Sequence, residues 1–182
     1  MAGTLSVQKI QGLATSATPT TVEIASGHKI SGVSGAISVP GSIVQVISGI
    51  TTTYTNVAST TFADTTLTAT ITPKFSTSKI LIIISQNVGS DRDNNSAACS
   101  LQLLRDSTVI QTQTYISFIE AGGASATKSV GPWAVTHLDS PSTTSATTYK
   151  TQGKITSTSN NGTARFQWDS GASHITLMEI AQ

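Results

Sequence analysis

A run of five branched apolar residues, ILIII at positions 80–84, is the strongest hydrophobic feature of the chain. Four of the five are isoleucines, whose β-branched side chains favour an extended chain over a helix. The run is too short to cross a membrane as a helix, which needs about 20 apolar residues. It therefore predicts a central β-strand, residues 79–85, that is buried on both faces.

Shorter strand-like patterns follow one another along most of the chain. Residues 65–72 and 163–168 alternate apolar with polar residues, so each predicts a strand with one buried face. Other apolar runs predict strands at residues 42–50, 96–104, 108–110, 114–119, 130–138, 147–155 and 174–180. About eight to ten strands without a convincing helix predict an all-β fold, an antiparallel β-sandwich or jelly roll.

Turn-forming residues mark the connections between these strands. Residues 86–95, QNVGSDRDNN, predict a polar loop after the central strand. Residues 105–107 predict a tight turn between two strands. Asn161 and Gly162 predict a β-hairpin, because an Asn-Gly pair accepts the positive φ angles of a type I′ turn.

Residues 1–41 have a different pattern and predict an extended N-terminal arm. Glycines and prolines interrupt this segment, and no helical period persists. The alternation that remains gives strands too short to be stable alone. We therefore expect a docking arm or intertwined stem, with a disordered terminus as the alternative. Its candidate docking or subunit-interface residues are Leu5, Val7, Ile10, Leu13, Val22, Ile24 and Ile30. Residues 42–182 then form the β-sandwich domain.

Composition narrows the possible partners. Charged residues make up 10% of the 182 residues, against about a quarter in most proteins, whereas serine and threonine together number 57. We therefore expect hydroxyl groups, rather than charged groups, to provide most of the polar surface that contacts water. The basic residues are scattered singly and the formal net charge is +1, which argues against nucleic-acid binding. Neither a signal-peptide pattern nor a membrane-spanning stretch is present, so we expect neither export by a cleaved signal nor membrane insertion.

The densest group of possible oxygen ligands lies in residues 91–95, DRDNN. Its spacing fails the helix-loop-helix calcium motif, because Ser96 stands where that motif has glycine. A solvated loop is the favoured interpretation, with calcium binding as the alternative. Exposed aromatic residues often anchor recognition, including stacking on sugars, although the low aromatic content favours core positions for most of them. The candidate recognition residues are Asp91, Arg92, Asp93, Asn94 and Trp133, and Tyr115 and Trp168 are further aromatic candidates.

No arrangement of nucleophile, base and acid identifies an enzyme. No serine lies in a G-x-S-x-G motif, and the single cysteine, Cys99, lies in an apolar strand that blunts the reactivity of a thiol. The three histidines lack the spacing of a helical zinc site, and the sequence GGASATKS lacks the second glycine of a phosphate-binding loop. We expect no catalytic residues, metal or cofactor. A pair of acidic residues assembled by the fold is the remaining route to glycan hydrolysis.

Five strings of the domain are distinctive: GSIVQV at 41–46, LTATITPKFSTSKILIIISQ at 67–86, LLRDSTVI at 103–110, HLDSPSTTSATTYKTQ at 137–152 and ITLMEIA at 175–181. Together they resemble a family of short virion proteins of phages that infect marine and freshwater bacteria, described as tail-fibre-like or virion structural proteins. The opening AGTLSVQKIQG also resembles the N-terminal arm of such proteins.

The resemblance implies a β-sandwich displayed on a virion, commonly as a homotrimer, with the arm holding the particle and the C-terminal domain pointing outward. It implies a non-enzymatic fibre-type surface protein for host attachment or for support of a receptor-binding element. The expected partners are other phage virion proteins and a host surface glycan or receptor. Because the chain has no long repetitive shaft, a capsid-decorating or head-fibre protein on the outer shell is the alternative. The expected location is the tail or the capsid surface.

Overall fold

The computed structural model describes residues 39–93, 96–119 and 126–182, together with Ser26, and at residues 126 and 127 it describes the backbone alone. These residues form ten β-strands and two short 3-10 turns. The strands are β1 (Ile43–Thr51), β2 (Thr55–Val57), β3 (Ala63–Ile71), β4 (Lys79–Asp93), β5 (Ala97–Arg105), β6 (Thr108–Ile119), β7 (Ala126–Asp139), β8 (Thr147–Ile155), β9 (Thr163–Phe166) and β10 (Ser173–Ile180).

The strands form two antiparallel sheets that pack together as a β-sandwich. The back sheet has the order β3-β8-β5-β6. The front sheet is built on β4, because β7 pairs with one of its edges along residues 80–93, while β10 and β9 share the opposite edge. β1 extends the front sheet beyond β10, and β2 extends it beyond β9. The all-β sandwich predicted from the sequence is confirmed, and the jelly-roll connectivity stays a prediction.

The core lies between the two sheets and is lined by alternate residues of each strand. Ile80, Ile82 and Ile84 of β4 point inward and are at most 1% exposed. They pack in one cluster with side chains from both sheets, among them Leu67, Leu101, Leu103, Tyr149, Ile155, Phe166, Ile175 and Leu177. The predicted central strand is therefore the spine of the front sheet.

β4 continues to Asp93, well beyond its apolar run. The prediction of a polar loop is therefore wrong for residues 86–93, because β7 pairs with all of this half-strand and β9 with much of it. The polar side chains find partners in the core. Gln86 Nε2 donates to Thr65 Oγ1 (2.9 Å), and Thr151 Oγ1 donates to Gln86 Oε1 (2.9 Å). These hydrogen bonds join the two sheets and make a buried amide tolerable.

Asn161 and Gly162 do not form the predicted hairpin. Asn161 is the last residue of a 3-10 turn, Ser159–Asn161, and Gly162 follows it. This turn connects β8 in the back sheet to β9 in the front sheet. The positive φ angles fall one residue earlier than predicted, at Asn160 (50°) and Asn161 (58°), whereas φ of Gly162 is −57°. The prediction is wrong because the Asn-Gly pair reports a local backbone preference and not the sheet that the next strand joins.

One further strand prediction needs correction, and one short strand was not predicted. The segments predicted separately at residues 108–110 and 114–119 are one strand, β6, with a bulge near Tyr115, whose φ is 57°. The three-residue strand β2 has no predicted counterpart. The tight turn at residues 105–107 is confirmed, with Asp106 at a φ of 53° between β5 and β6.

The predicted arm, residues 1–41, lies outside the described residues apart from Ser26 and residues 39–41, and so do all of its candidate interface residues. Where the description begins, backbone hydrogen bonds tie the chain to the end of the domain. Gly41 N–H donates to Ala181 O (2.8 Å), and Ala181 N–H donates to Ser42 O (3.0 Å). In the part of the chain that the structure describes, no helix has the length and apolarity needed to cross a membrane.

Candidate functional site

The outer face of the front sheet, which points away from the core, carries the residues that the back sheet leaves uncovered. Leu81 and Ile83 of β4 lie on this face, with Leu81 half-buried and Ile83 39% exposed. The prediction that the apolar run is buried on both faces is therefore wrong for the chain by itself. The back sheet covers the inner face of β4, and no other described element covers the outer face.

An apolar surface occupies the half of this face that lies next to Ser42. A row of four apolar residues crosses β1, β10, β4 and β7 in register, in the order Val46, Met178, Leu81 and Leu138. Isoleucines of β1, β10 and β4 adjoin the row on either side. We call this set the proximal patch; its members are Ile43, Val46, Leu81, Ile83, Leu138, Met178 and Ile180.

The proximal patch is well exposed. Ile43, Val46 and Leu138 are each 50–58% exposed. Lys79 is the charged residue that lies beside Ile180 in register, at the margin of the patch. Exposed apolar residues are common singly, but a contiguous apolar surface on a soluble protein marks a contact site. The proximal patch is therefore a candidate protein-contact surface.

Aromatic and charged side chains gather on the other half of the same face. The Arg165 guanidinium carbon lies 4.3 Å from the centroid of the Trp168 ring, and Arg165 Nη1 donates to the Tyr54 hydroxyl (2.5 Å). Arg165 Nη2 donates to the Asp91 carboxylate. Lys128 Nζ lies 5.1 Å from the Trp168 centroid. We call Tyr54, Asp91, Lys128, Arg165 and Trp168 the aromatic cluster.

Several local features position Trp168 on this face. Gly89 of β4 makes room for the indole, since a Cβ there would lie 3.3 Å from the ring. Asn87 Oδ1 accepts a hydrogen bond from the backbone N–H of Trp168 (3.0 Å), and the backbone carbonyl of Asn87 accepts one from the backbone N–H of Gln167 (3.1 Å). Gln167 is held at a φ of 51°, which a residue with a side chain adopts at some cost. Such conformations persist where the surrounding contacts fix them, and they cluster at functional sites.

Charges within the aromatic cluster are partly paired. Arg165 and Asp91 form a partly buried ion pair, whereas the salt bridges found among the described residues do not include Lys128. A cation over an aromatic ring gains about 0.5–1 kcal/mol at an exposed site. The cluster thus presents an exposed phenol, an indole and an ammonium group, which suit a ligand that has both apolar faces and oxygen acceptors.

The predicted recognition residues do not form one exposed loop. Asp91 belongs to the aromatic cluster but is itself buried. Arg92 points the other way and its Nε donates to Ser159 O (2.9 Å), so it holds a turn. Asp93 accepts a hydrogen bond from Asn161 Nδ2 (2.8 Å). Asn94 lies outside the described residues.

Trp133 is a core residue. Its side chain is 6% exposed, and its Nε1 donates to Gln113 Oε1 (2.8 Å) across the edge where β7 approaches β6. The alternative that most aromatic residues are needed in the core is therefore confirmed for Trp133. Tyr115 is 65% exposed on β6 but lies on the back sheet, away from the aromatic cluster.

Asp139 is engaged in a contact between the sheets. It accepts hydrogen bonds from Arg105 Nη1 (2.9 Å) and from the Tyr149 hydroxyl (2.7 Å). Burial, together with the hydrogen bond to Asp139, raises the pKa of Tyr149. The three side chains join the end of β7 to β5 and β8, which is a structural role.

Asp64 of β3 also has polar partners, and both lie on the neighbouring strand β8, on the outer face of the back sheet. Partial burial raises the pKa of this carboxyl, but hydrogen bonds from Gln152 (2.7 Å) and Lys150 (3.0 Å) and the charge of Lys150 outweigh it and hold the pKa below its ordinary value. A carboxyl that is ionised at neutral pH cannot act as the acid of a hydrolytic pair. Among the described residues, no group of three or more His, Cys, Asp or Glu side chains is arranged to hold a metal.

Comparisons with known proteins add no family to this description: no protein-family model and no curated protein matches the chain. The class of protein that the fold defines is an all-β sandwich, and the outer face of its front sheet carries the proximal patch and the aromatic cluster.

Cys99 provides a test of the core. It lies in β5 with no exposed surface, and burial raises the pKa of its thiol to about 12. We expect a disulfide-exchange reagent at pH 8 to label the folded protein at least about 100-fold more slowly than the denatured protein, because the folded thiol holds about 1,000-fold less of the reactive thiolate and the higher nucleophilicity of a high-pKa thiolate offsets only part of that difference. Release of the coloured thiol measures both rates. Equal rates would contradict the position of Cys99 in the core.

Proposed function

We propose that the protein is a non-enzymatic structural protein of a bacteriophage virion, a fibre-type surface protein for host attachment that assembles as a homotrimer. The resemblance carried by five strings of the domain supports the virion assignment. Residues 1–41 are proposed to hold the particle, and a host surface glycan or receptor is proposed as the outward partner.

The aromatic cluster is the observation that carries the attachment role. The chain has two tryptophans and 10% charged residues, yet one tryptophan, two basic residues and a partly exposed tyrosine meet on one outward face. Aromatic and arginine side chains are enriched among residues that dominate binding, and an aromatic face suits stacking on a sugar ring. Tyr115 and Phe118 of β6 form a second exposed aromatic pair, with ring centroids 6.3 Å apart, but the cation–ring contacts found among the described residues do not include either ring.

Replacing Trp168 by alanine tests this role. We expect the purified protein to compete with virions for adsorption to host cells, and we expect Trp168→Ala to compete at least about tenfold less well, since loss of a binding anchor costs 1–2 kcal/mol or more. Counting unadsorbed virions at a series of competitor concentrations measures the effect. Phe118→Ala is the matched control, because Phe118 is 49% exposed on the back sheet.

Tyr54→Ala is a second test variant, because Tyr54 is 43% exposed and its loss leaves the core intact. Thermal melts establish that each variant is folded. If Trp168→Ala and Tyr54→Ala both compete as well as Phe118→Ala and the wild type, the aromatic cluster has no part in attachment. If the folded wild type itself does not compete, the attachment role is contradicted.

A capsid-decorating or head-fibre protein is the second candidate. The sandwich domain formed by residues 42–182 supports it, because a domain of this size can cap a site on a shell. The two candidates differ in location. Gold-labelled antibody against the domain should mark the tail of intact virions for the fibre and the head for the decoration protein. Virions that carry no label would contradict both.

A further inference from the structure

We propose that the proximal patch is an interface between copies of this chain, and that the patches of neighbouring copies pack against one another around the symmetry axis of the assembly. This inference deepens the proposed function, since it names the partner of one surface. It rests on the geometry of the front sheet, and so it can fail or succeed independently of where on a virion the protein lies.

The register of the front sheet makes the patch continuous. Val46, Met178 and Leu81 are direct neighbours across three strands, and Leu138 continues the row on the fourth. Sheets bury an apolar face against another layer, and the inner face of this sheet already has the back sheet as its layer. None of the described elements supplies a layer on the outer face. Another sheet face can pack there at a separation of about 10 Å.

Charge points to a second copy as the occupant. No member of the proximal patch is charged, and Lys79 stands at its margin. A partner that brought charged groups onto this surface would bury them unpaired, at a large cost. The same face of another copy brings none. The adjoining row holds Thr176 and Thr136 on either side of Ile83, so hydroxyl groups surround the apolar contact on both copies.

The size of the surface agrees with one stable contact. The proximal patch spans four strands and the five register positions from residue 79 to residue 83 of β4, roughly 19 Å by 16 Å, or about 300 Å² in projection. The relief of the side chains makes the accessible area larger than the projection. The patch therefore has the size of the apolar centre of a specific protein interface, which buries ~800 Å² per partner in all.

The outer face of the back sheet provides a contrast within the same molecule. There, Gln102 Nε2 donates to Gln152 Oε1 (2.7 Å), and Gln152 in turn donates to Asp64 (2.7 Å), to which Lys150 also donates (3.0 Å). Hydrogen-bonded polar side chains thus cover this face along β3, β8 and β5, and its exposed apolar residues, Val109 and Phe118, lie on the edge strand β6. Of the two outer faces, the front one carries the apolar row that continues across four strands.

Sedimentation of the full chain tests the proposal. At micromolar concentration the wild type should sediment as a closed multimer of the 18.8 kDa chain. Val46→Glu and Leu138→Glu should each sediment as the single chain, with a dissociation constant raised at least about 100-fold, because each places an unpaired carboxylate within the apolar contact. Val109→Glu is the matched control: Val109 is 47% exposed on β6 and Val46 is 52% exposed on β1.

The sedimentation results distinguish an interface at the proximal patch from a chain that does not associate there. A dimer, trimer or larger ring that both patch variants dissociate and Val109→Glu leaves intact supports the proposal. A wild type that sediments as 18.8 kDa throughout, or patch variants that remain multimeric, overturns it. Thermal melts show whether each variant is folded, and the two patch variants lie on different strands, so misfolding of one leaves the other as the test. The adsorption assay with Trp168→Ala remains a separate test of the proposed function.

Discussion

Ile82→Ala is expected to lower the free energy of unfolding by about 2–5 kcal/mol, the range for truncating a large buried aliphatic side chain. Ile82 has no exposed surface and lies in the middle of the apolar run of β4, opposite Leu177 of β10 and His137 of β7. The β4 backbone is fixed by pairing on both edges, so it cannot move inward to fill the cavity. Urea unfolding of the purified protein measures the loss.

Ile83→Ala is the matched control for this prediction. Ile83 is the next residue of the same strand, but it lies on the outer face and is 39% exposed. In a Val46→Glu background, where we expect the chain to be monomeric, Ile83→Ala should cost less than about 1 kcal/mol. Equal losses at Ile82 and Ile83 in that background would contradict the assignment of inner and outer faces.

Gly153→Ala is expected to destabilise the protein by about 3 kcal/mol, at the upper end of the usual cost of overpacking a core. Gly153 lies in β8, and a Cβ there would lie 2.1 Å from Cζ of Phe166 and 2.7 Å from its Cε2. Phe166 has no exposed surface and packs in the core cluster, so the ring can move aside only by displacing other core side chains. Chemical denaturation measures the effect.

Gly131→Ala is the control for Gly153→Ala, because a Cβ at Gly131 of β7 would meet no atom within 4 Å. We expect it to change the free energy of unfolding by less than about 1 kcal/mol. The double variant Gly153→Ala with Phe166→Leu should recover part of the loss, since the smaller side chain removes the clash. If Gly153→Ala is as well tolerated as Gly131→Ala, the close packing of β8 against β9 is wrong.

Local patterning was sufficient to predict most of the strands. The predicted strand at residues 147–155 coincides with β8, and the predicted final strand differs from β10 by one residue at its start. Alternation reports burial directly, because successive side chains of a strand point to opposite faces. The all-β sandwich follows from the repetition of this signal.

Pairing between distant segments was not predictable in the same way. The polar sequence of the second half of β4 predicts a loop. In the structure Gln86 is buried, and Thr65 and Thr151 supply its hydrogen bonds. Those partners lie 21 and 65 residues away along the chain. No local signal shows that they will meet, so a polar composition alone favours a loop.

The aromatic cluster was hidden for the same reason. Its members come from β4, β7 and β9, the turn after β9 and the connection before β2, and the register of the front sheet alone brings them together. Trp168 was recognisable as an aromatic candidate, but its neighbours Arg165, Lys128 and Tyr54 carried no signal. The sequence indicated the proximal patch more clearly than the aromatic cluster. The run was expected to be buried on both faces, and the described elements cover it on one, which is the sequence signal behind the proposed interface.

Oxidation of Met178 tests most directly whether a second copy covers the proximal patch. Met178 lies between Val46 and Leu81 in the central row of the patch, and its thioether is converted to the sulfoxide by hydrogen peroxide when solvent reaches it. Mass spectrometry of the peptide that contains Met178, with free methionine as an internal standard, gives the rate over a dilution series. We expect slow oxidation in the concentrated wild type, and faster oxidation on dilution and in Val46→Glu. A rate that is the same at every concentration and in both proteins would contradict the proposed interface.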